Sequence, residues 1–192
     1  GQALAVNGDE AGGRGSTRLT ITMSGTDAGD FSNMTFAATV GVDFTLVGGS
    51  IYITGDGDDE NIVGTSIADT ISGNAGNDVM NGLAGRDNLL GHDGDDIFII
   101  SEAAHHAAFE AIRGHDGTDT IRFASDDNGD TLELSQNVEV EVVEISDADG
   151  DNTGVVALNV DASDVDATEH IEIIGNDGAN ELTGNGGFNI IR

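Results

Sequence analysis

The chain has 192 residues, room for one sizeable domain or two small ones, and sets 36 acidic residues against 6 basic ones, all arginine, for a formal charge of -30. A surface so poor in cations excludes nucleic acid and anionic membranes as partners. No cysteine is present, so disulfides and thiolate metal sites are excluded, and without proline the 29 glycines belong to neither collagen nor a polyproline helix.

The opening residues, GQALAVNGDEAGGRGS, lack the basic and apolar segments of a signal peptide and read as a fragment boundary. No apolar run reaches the length of a membrane span. From 17 to 54 apolar residues alternate with period two. Leu19, Ile21 and Met23 are followed by Met34, Phe36, Ala38 and Val40, then Val42, Phe44 and Leu46, then Ile51 and Ile53. Turn-rich stretches separate them, which predicts four short strands. These form either a sandwich-like cap or the first, irregular coils of a solenoid.

From Gly55 a period of nine takes over: GDGDDENIV, GTSIADTIS, GNAGNDVMN, GLAGRDNLL, GHDGDDIFI. In the last three units glycine recurs at 73, 82 and 91 and again at 76, 85 and 94. Aspartate recurs at 78, 87 and 96, and a large apolar residue at 80, 89 and 98. Residues 101–113, SEAAHHAAFEAIR, interrupt the period. Their alanines, with Ser101 as N-cap and Gly114 as C-cap, predict a short helical insertion. The period returns in GHDGTDTIR (114–122) and, more loosely, in SDDNGDTLE (125–133). Strand-like runs follow at 138–145, 155–160 and 171–174, and GNDGANELT and GNGGFNIIR close the chain. Three segments result: 1–54, the regular array 55–133 with its insertion at 101–113, and irregular coils over 134–192 ending in degenerate repeats.

A nine-residue unit of this kind is no helix, because interior glycines cost roughly 1 kcal/mol each. Nor is it one extended strand, with two glycines and an aspartate in its first six positions. A six-residue turn followed by a three-residue strand satisfies it. The eighth residue (Ile62, Ile71, Met80, Leu89, Phe98) then points inward, and successive strands fall on alternate faces. That is a solenoid of eighteen residues per coil. Strands stacked about 4.8 Å apart bring Asp78 within about 5 Å of Asp96, and Asp69 of Asp87. At that range two carboxylates repel by about 3 kcal/mol at an effective dielectric near 20. A cation between them removes the repulsion. Ligands that are all oxygen, from carboxylates and turn carbonyls, suit a hard ion, and a flexible protein cage prefers Ca²⁺ to Mg²⁺.

These units resemble the G-G-x-G-x-D-x-U-x nonapeptide of RTX (haemolysin-type calcium-binding repeat) proteins, closely over 55–99, partly over 114–133 and weakly over 175–192. The resemblance implies an all-β parallel β-roll, a β-solenoid whose glycine-rich turns bind several Ca²⁺ ions. It implies ligands from two turns eighteen residues apart. One turn supplies the carbonyls of its second and fourth positions and its acid; the other supplies the carbonyls of its first and third positions and its acid. On this chain one site is then Thr65, Ile67 and Asp69 with Gly82, Ala84 and Asp87. A second is Asn74, Gly76 and Asp78 with Gly91, Asp93 and Asp96. A third is Asp56, Asp58 and Glu60 with Gly73, Ala75 and Asp78, where Glu60 stands in for the family's Asp. If 101–113 is a pure insertion, Leu83, Gly85 and Asp87 meet Gly114, Asp116 and Asp119. His92, Gly94 and Asp96 then meet Ser125, Asp127 and Asp130. At 180 and 189 asparagine replaces the acid, which removes the carboxylate from those turns.

Other motifs carry less. The five histidines (92, 105, 106, 115, 170) form no HExxH, and surface histidine is the expected role. The stretch 146–154, SDADGDNTG, resembles the start of an EF-hand loop, but Asn152 replaces its glycine and Leu158 its closing glutamate, so it reads as an acidic turn. Lysine is absent, which excludes a P-loop, and no GxSxG or cysteine nucleophile occurs. Asn33-Met34-Thr35 matches a glycosylation sequon by letter alone.

No catalytic constellation is present, so the chain reads as a non-enzymatic module. The resemblance implies export by a one-step (type I) system, calcium-driven folding outside the cell, and a secreted or cell-surface bacterial protein. The family's uncleaved C-terminal export signal is not found, so the chain reads as part of a longer one. A structural or adhesive role, with self-association or cell-surface contacts, fits the lack of catalytic groups. The alternative is the folding and export module of a secreted hydrolase or toxin whose catalytic domain lies elsewhere.

Overall fold

The structure is a computed structural model that describes residues 19–23, 42–46, 52–55, 57–106 and 110–192. The strand expected over 34–40, residue Ile51, the sequon and the candidate ligand Asp56 lie outside the described residues. In chain order the first strands are β1 (Leu19–Met23), β2 (Val42–Leu46), β3 (Tyr52–Thr54), β4 (Asn61–Val63) and β5 (Thr70–Ala75). Next come β6 (Val79–Asn81), β7 (Asn88–Asp93), β8 (Ile97–Ile100), β9 (Ala111–Asp116) and β10 (Thr120–Phe123). The last are β11 (Thr131–Glu133), β12 (Val138–Glu139), β13 (Val142–Ile145), β14 (Asn159–Asp161), β15 (Ile171–Ile174), β16 (Leu182–Thr183) and β17 (Asn189–Ile191).

Every strand pairing among the described residues is parallel, as a solenoid requires. One sheet runs β1-β2-β4-β6-β8-β10-β13-β15-β17, a second β3-β5-β7-β9-β12, and a third β11-β14-β16. In the repeats the register is eighteen residues: Asn61 lies opposite Val79, Val79 opposite Ile97, and Thr70 opposite Asn88. The fold is thus an all-β solenoid of the β-roll type. Strands β1 and β2 stack on the same sheet, Val42 lying opposite Ile62.

The eighth position of each repeat fills the core. Ile62, Ile71, Met80, Leu89 and Phe98 are all fully buried, and Ile53, Ile112 and Ile121 continue the series. One inward apolar side chain per strand from β3 to β7, and two in β8, β10, β13 and β15, make the core a narrow stripe between the sheets. Burying each such side chain contributes about 1.5–3 kcal/mol.

The interruption at 101–113 departs from the expected helix. Its described helical content is a single 3-10 turn, Ala103–His105, and Ala111 already opens β9. The expected register also fails there. Ile97 lies opposite Thr120 and Asn88 opposite Ala111, each a step of 23 residues. The segment is therefore one coil's unit enlarged by five residues, not a detour outside the roll. Burial of Ile112 in register with Leu89 outweighs the weak helical preference of the alanines. The 3-10 turn is tied back by the Ala103 N–H, which donates to Asp130 at 3.1 Å.

Candidate metal centre

The turns owe their shape to two backbone positions. The second residue of the unit is left-handed, with φ of 81° at Asn74, 63° at Leu83, 81° at His92 and 76° at His115. The fourth is glycine at positive φ, 118° at Gly76 and 133° at Gly94, where a side chain would be strained. A methyl at Gly94 would also overlap the Gly76 carbonyl one coil away.

Each turn ends on its acid, and the acids form two buried ladders. On one edge Glu60 N–H donates to Asp78 Oδ1 at 2.7 Å, Asp78 N–H to Asp96 Oδ1 at 2.8 Å, and Asp96 N–H to Asp119 Oδ1 at 2.9 Å. On the other, Asp69 N–H donates to Asp87 Oδ1 at 2.8 Å. Asp78, Asp96 and Asp119 are wholly buried, and Asp87 is only 2% exposed. The backbone satisfies one oxygen of each acid. The second oxygens of Asp87, Asp96 and Asp119 are buried and accept no hydrogen bond. These oxygens fold back over the first glycine of their own turn, so a methyl at Gly91 or Gly114 would overlap Asp96 or Asp119. The neighbouring coil adds its own oxygen, the Gly91 carbonyl lying 3.1 Å from where a Cβ on Gly73 would stand.

Burial, the largest cause, pushes Asp87 and Asp96 up to about 7 and Asp119 up to about 6. Backbone N–H donors pull against it, and neighbouring acids add to it: Glu110 and Asp69 at Asp87, Asp78 at Asp96, Glu141 at Asp119. A cation alongside favours the ionised form of carboxylates in this setting and restores their charge at neutral pH. The donors fit a hard cation. Among the described residues no three His, Cys, Asp or Glu side chains converge on a point, so a cation here would take most of its ligands from backbone carbonyls, as Ca²⁺ accepts and Zn²⁺ does not.

The structure brings together most of the residues singled out above. Thr65 donates from N–H and Oγ1 to Asp69 Oδ2, at 2.6 and 2.9 Å, and this turn stacks on the one holding Gly82, Ala84 and Asp87. The Gly82 carbonyl is 2.7 Å from where a Cβ on Gly64 would stand, and Ile67 adjoins Gly85. Asn74, Gly76 and Asp78 stack on His92, Asp93 and Asp96, with Gly76 N–H donating to the Asp93 carbonyl at 3.0 Å. Asp58 and Glu60 adjoin Gly76 and Asp78 in the same way.

Two expected pairings are corrected. Leu83, Gly85 and Asp87 do not meet Gly114, Asp116 and Asp119; that turn stacks on the one holding His92, Gly94 and Asp96. Gly94 N–H donates to the Asp116 carbonyl at 2.8 Å, and the His92 and His115 rings stack with centroids 5.0 Å apart. Ser125, Asp127 and Asp130 accordingly do not meet His92, Gly94 and Asp96. Asp130 instead accepts the Ser125 hydroxyl at 2.8 Å and precedes β11, which opens the third sheet. The 23-residue step is the physical reason for both changes.

Two further acids extend the ladders. Asp119 N–H donates to Glu141 Oε2 at 2.8 Å, and Glu110, only 1% exposed, raises Asp87 from the next coil and lies 3.4 Å from His106 Nδ1. Both precede a strand carrying a buried apolar residue two positions on, Ile112 and Val143, and that pattern was the available signal. The acidic loop 146–154 closes on itself: Asp147 Oδ1 accepts the N–H groups of Asp149 and Asp151, both at 2.9 Å. Arg122 covers it, donating to the Ala148 carbonyl at 3.2 Å.

Stacked parallel coils whose turns bury paired carboxylates against glycine carbonyls define a calcium-binding β-roll module. The model of the RTX calcium-binding nonapeptide repeat matches the chain in four copies, over residues 54–89, 63–98 and 173–192. The chain carries RTX repeats. No curated protein and no solved structure gives a significant match.

The glycine wall supplies a direct test. Gly91→Ala places a methyl on Asp96, whereas Gly57→Ala meets nothing within 4 Å. Calcium titrations followed by circular dichroism should show a large loss of calcium response for the first and little change for the second.

Proposed function

We propose that this chain is the calcium-folded RTX β-roll of a larger secreted or cell-surface bacterial protein, with a structural, adhesive role. The observation that carries it is the row of buried carboxylate oxygens at Asp87, Asp96 and Asp119 that accept no hydrogen bond. Bound calcium supplies charge compensation there and links adjacent turns. The residues that hold it are the acids and turn carbonyls of successive coils: 57–60 with 73–78, 64–69 with 82–87, 73–78 with 91–96, and 91–96 with 114–119. In the last of these, the carbonyls of His92 and Gly94 face Gly114 and Asp116, with Asp96 and Asp119 as acids. The cytosol is poor in calcium and the exterior rich in it, so a fold that needs the ion forms after export. A stack of parallel, highly acidic structural repeats supports the surface role. Among the described residues no helix is long and apolar enough to cross a membrane.

The position of the acid within the repeat tests the assignment. Asp96 lies between two coils that both use it, one through the Asp78 N–H and one through Asp119. Asp59 lies on the outer face, where it is exposed and accepts the Asn77 N–H. Asp96→Ala should raise the calcium midpoint of folding by about tenfold or more, the equivalent of about 1.4 kcal/mol. Asp59→Ala should shift it little. Matching titration curves for the two variants contradict the assignment.

A further inference from the structure

The last two repeats match the calcium-binding family, yet they carry Asn180 and Asn189 at the acid position and Asn176 and Asn185 at the second position. A carboxylate offers only acceptors, whereas a carboxamide offers an acceptor and two N–H donors. The acceptor half of the turn is preserved. Asn176 N–H donates to Asn180 Oδ1 and Asn185 N–H to Asn189 Oδ1, both at 3.0 Å, as Thr65 N–H donates to Asp69.

The donor half differs. Asn176 Nδ2 donates to the Val156 carbonyl at 3.0 Å, and Asn180 Nδ2 to the Leu158 carbonyl at 2.9 Å. On the other edge Asn185 Nδ2 reaches the carbonyls of Asp166 and Glu169, at 2.7 and 2.9 Å. Asn189 Nδ2 reaches those of Asn185 and Gly187, both at 3.0 Å. The register of Val160 with Leu182 puts Val156 at the fourth position of its turn, and that of Ile171 with Asn189 puts Glu169 on the turn facing Gly187. In the regular array the fourth-position carbonyl is one of the groups assigned above to the cation. One second-position amide there also donates to a turn carbonyl, Asn74 Nδ2 to that of Gly55 at 2.6 Å; here the amides of all four asparagines gather turn carbonyls, and none of their side-chain atoms is buried without a partner.

Apolar packing points the same way. Among the described residues eight buried apolar side chains serve 57–122, and six, from Leu158 to Ile173, serve the shorter stretch 156–192. All six lie in the coils on which the asparagine turns stack, and 174–192 add no buried apolar side chain, so the carboxamide hydrogen bonds hold the last turns to that core.

We propose that the coils over 156–192 are metal-independent, with the carboxamides of Asn176, Asn180, Asn185 and Asn189 in the place that calcium takes over 57–122. They keep their structure when calcium is withdrawn. The contrast between the two halves rests on the calcium-folding reading of 57–122.

Hydrogen–deuterium exchange read by mass spectrometry on the full chain tests this. In EGTA, amides over 156–192 should exchange on the order of tenfold more slowly, or better, than those over 57–122. Calcium should slow the second group and leave the first nearly unchanged. Asn180→Asp and Asn185→Asp keep the acceptor and lose the donor, so each should raise exchange over 156–192 in EGTA. Rapid exchange of both segments of the unaltered chain in EGTA overturns the proposal, as does unchanged protection in both variants. If 57–122 gain no protection from calcium, the calcium-folding reading fails, and the protection over 156–192 is still read independently.

Discussion

Adding millimolar Ca²⁺ to the chain in EGTA is expected to produce most of its far-UV β signal, and the melting temperature should then climb with free calcium. The apo array faces two costs at once. A net charge of -30 repels itself throughout, and the turn acids stack in two ladders buried from water. Against them each repeat offers a single inward side chain, such as Met80 or Leu89. A ligand bound only by the folded state stabilises it by RT ln(1 + [L]/Kd), so the transition should keep rising as free calcium climbs past the dissociation constants of the sites. Magnesium at equal concentration should do much less, because it demands a tight octahedral shell and gives up its water reluctantly. Molar NaCl screens exposed charges without reaching the buried oxygens of Asp96 and Asp119, so it should not replace calcium. Recovery of the same melting transition in NaCl with EGTA shows that mere repulsion is at work and overturns the ligand assignments.

What could be read in the sequence is what nine consecutive residues decide among themselves. Glycine at the first and fourth positions, acid at the sixth and an apolar residue at the eighth make one turn and one short strand, and their recurrence sets the eighteen-residue register of Asn61 with Val79. The partner of a strand beyond an interruption is not a local property. Whether 111–113 or a later segment lies beside Asn88 depends on which placement buries Ile112 and continues the sheet, and alanine-rich 101–106 gave no hint of it. Glu110 and Glu141 are not marked in the sequence, because they occupy the acid position without the glycines of a turn. Beyond Phe123 the step between coils varies, Val142 lying opposite Glu172, thirty residues on, and Ile171 opposite Asn189, eighteen on. Their loops close through Asp147 and Asp166, whose carboxylates accept nearby backbone N–H groups and need no coil-to-coil repeat. A period can therefore vanish from the sequence while the parallel stack persists.

Acid should act on the two forms of this protein in opposite directions. In the metal-free fold, burial raises Asp87 and Asp96 from 3.8 to about 7 and Asp119 to about 6. The folded chain then binds more protons than the unfolded one between those limits. The stabilisation is fully present below the unfolded value of 3.8 and is lost as pH rises through the folded values. Calcium-stripped protein should accordingly gain β structure and melt later as the pH is lowered from about 8 to about 5. With calcium the sign reverses, because the ion needs the deprotonated carboxylates and protons compete for the same oxygens. The calcium midpoint should therefore rise over the same acid range. Asp96→Asn holds a neutral group of the same shape in place, so in EGTA it should be more folded than the parent at neutral pH and respond less to acid. Melting curves recorded across this range, with and without calcium, measure both slopes. Parallel pH slopes for the two forms would mean that the buried acids are not the groups the ion neutralises.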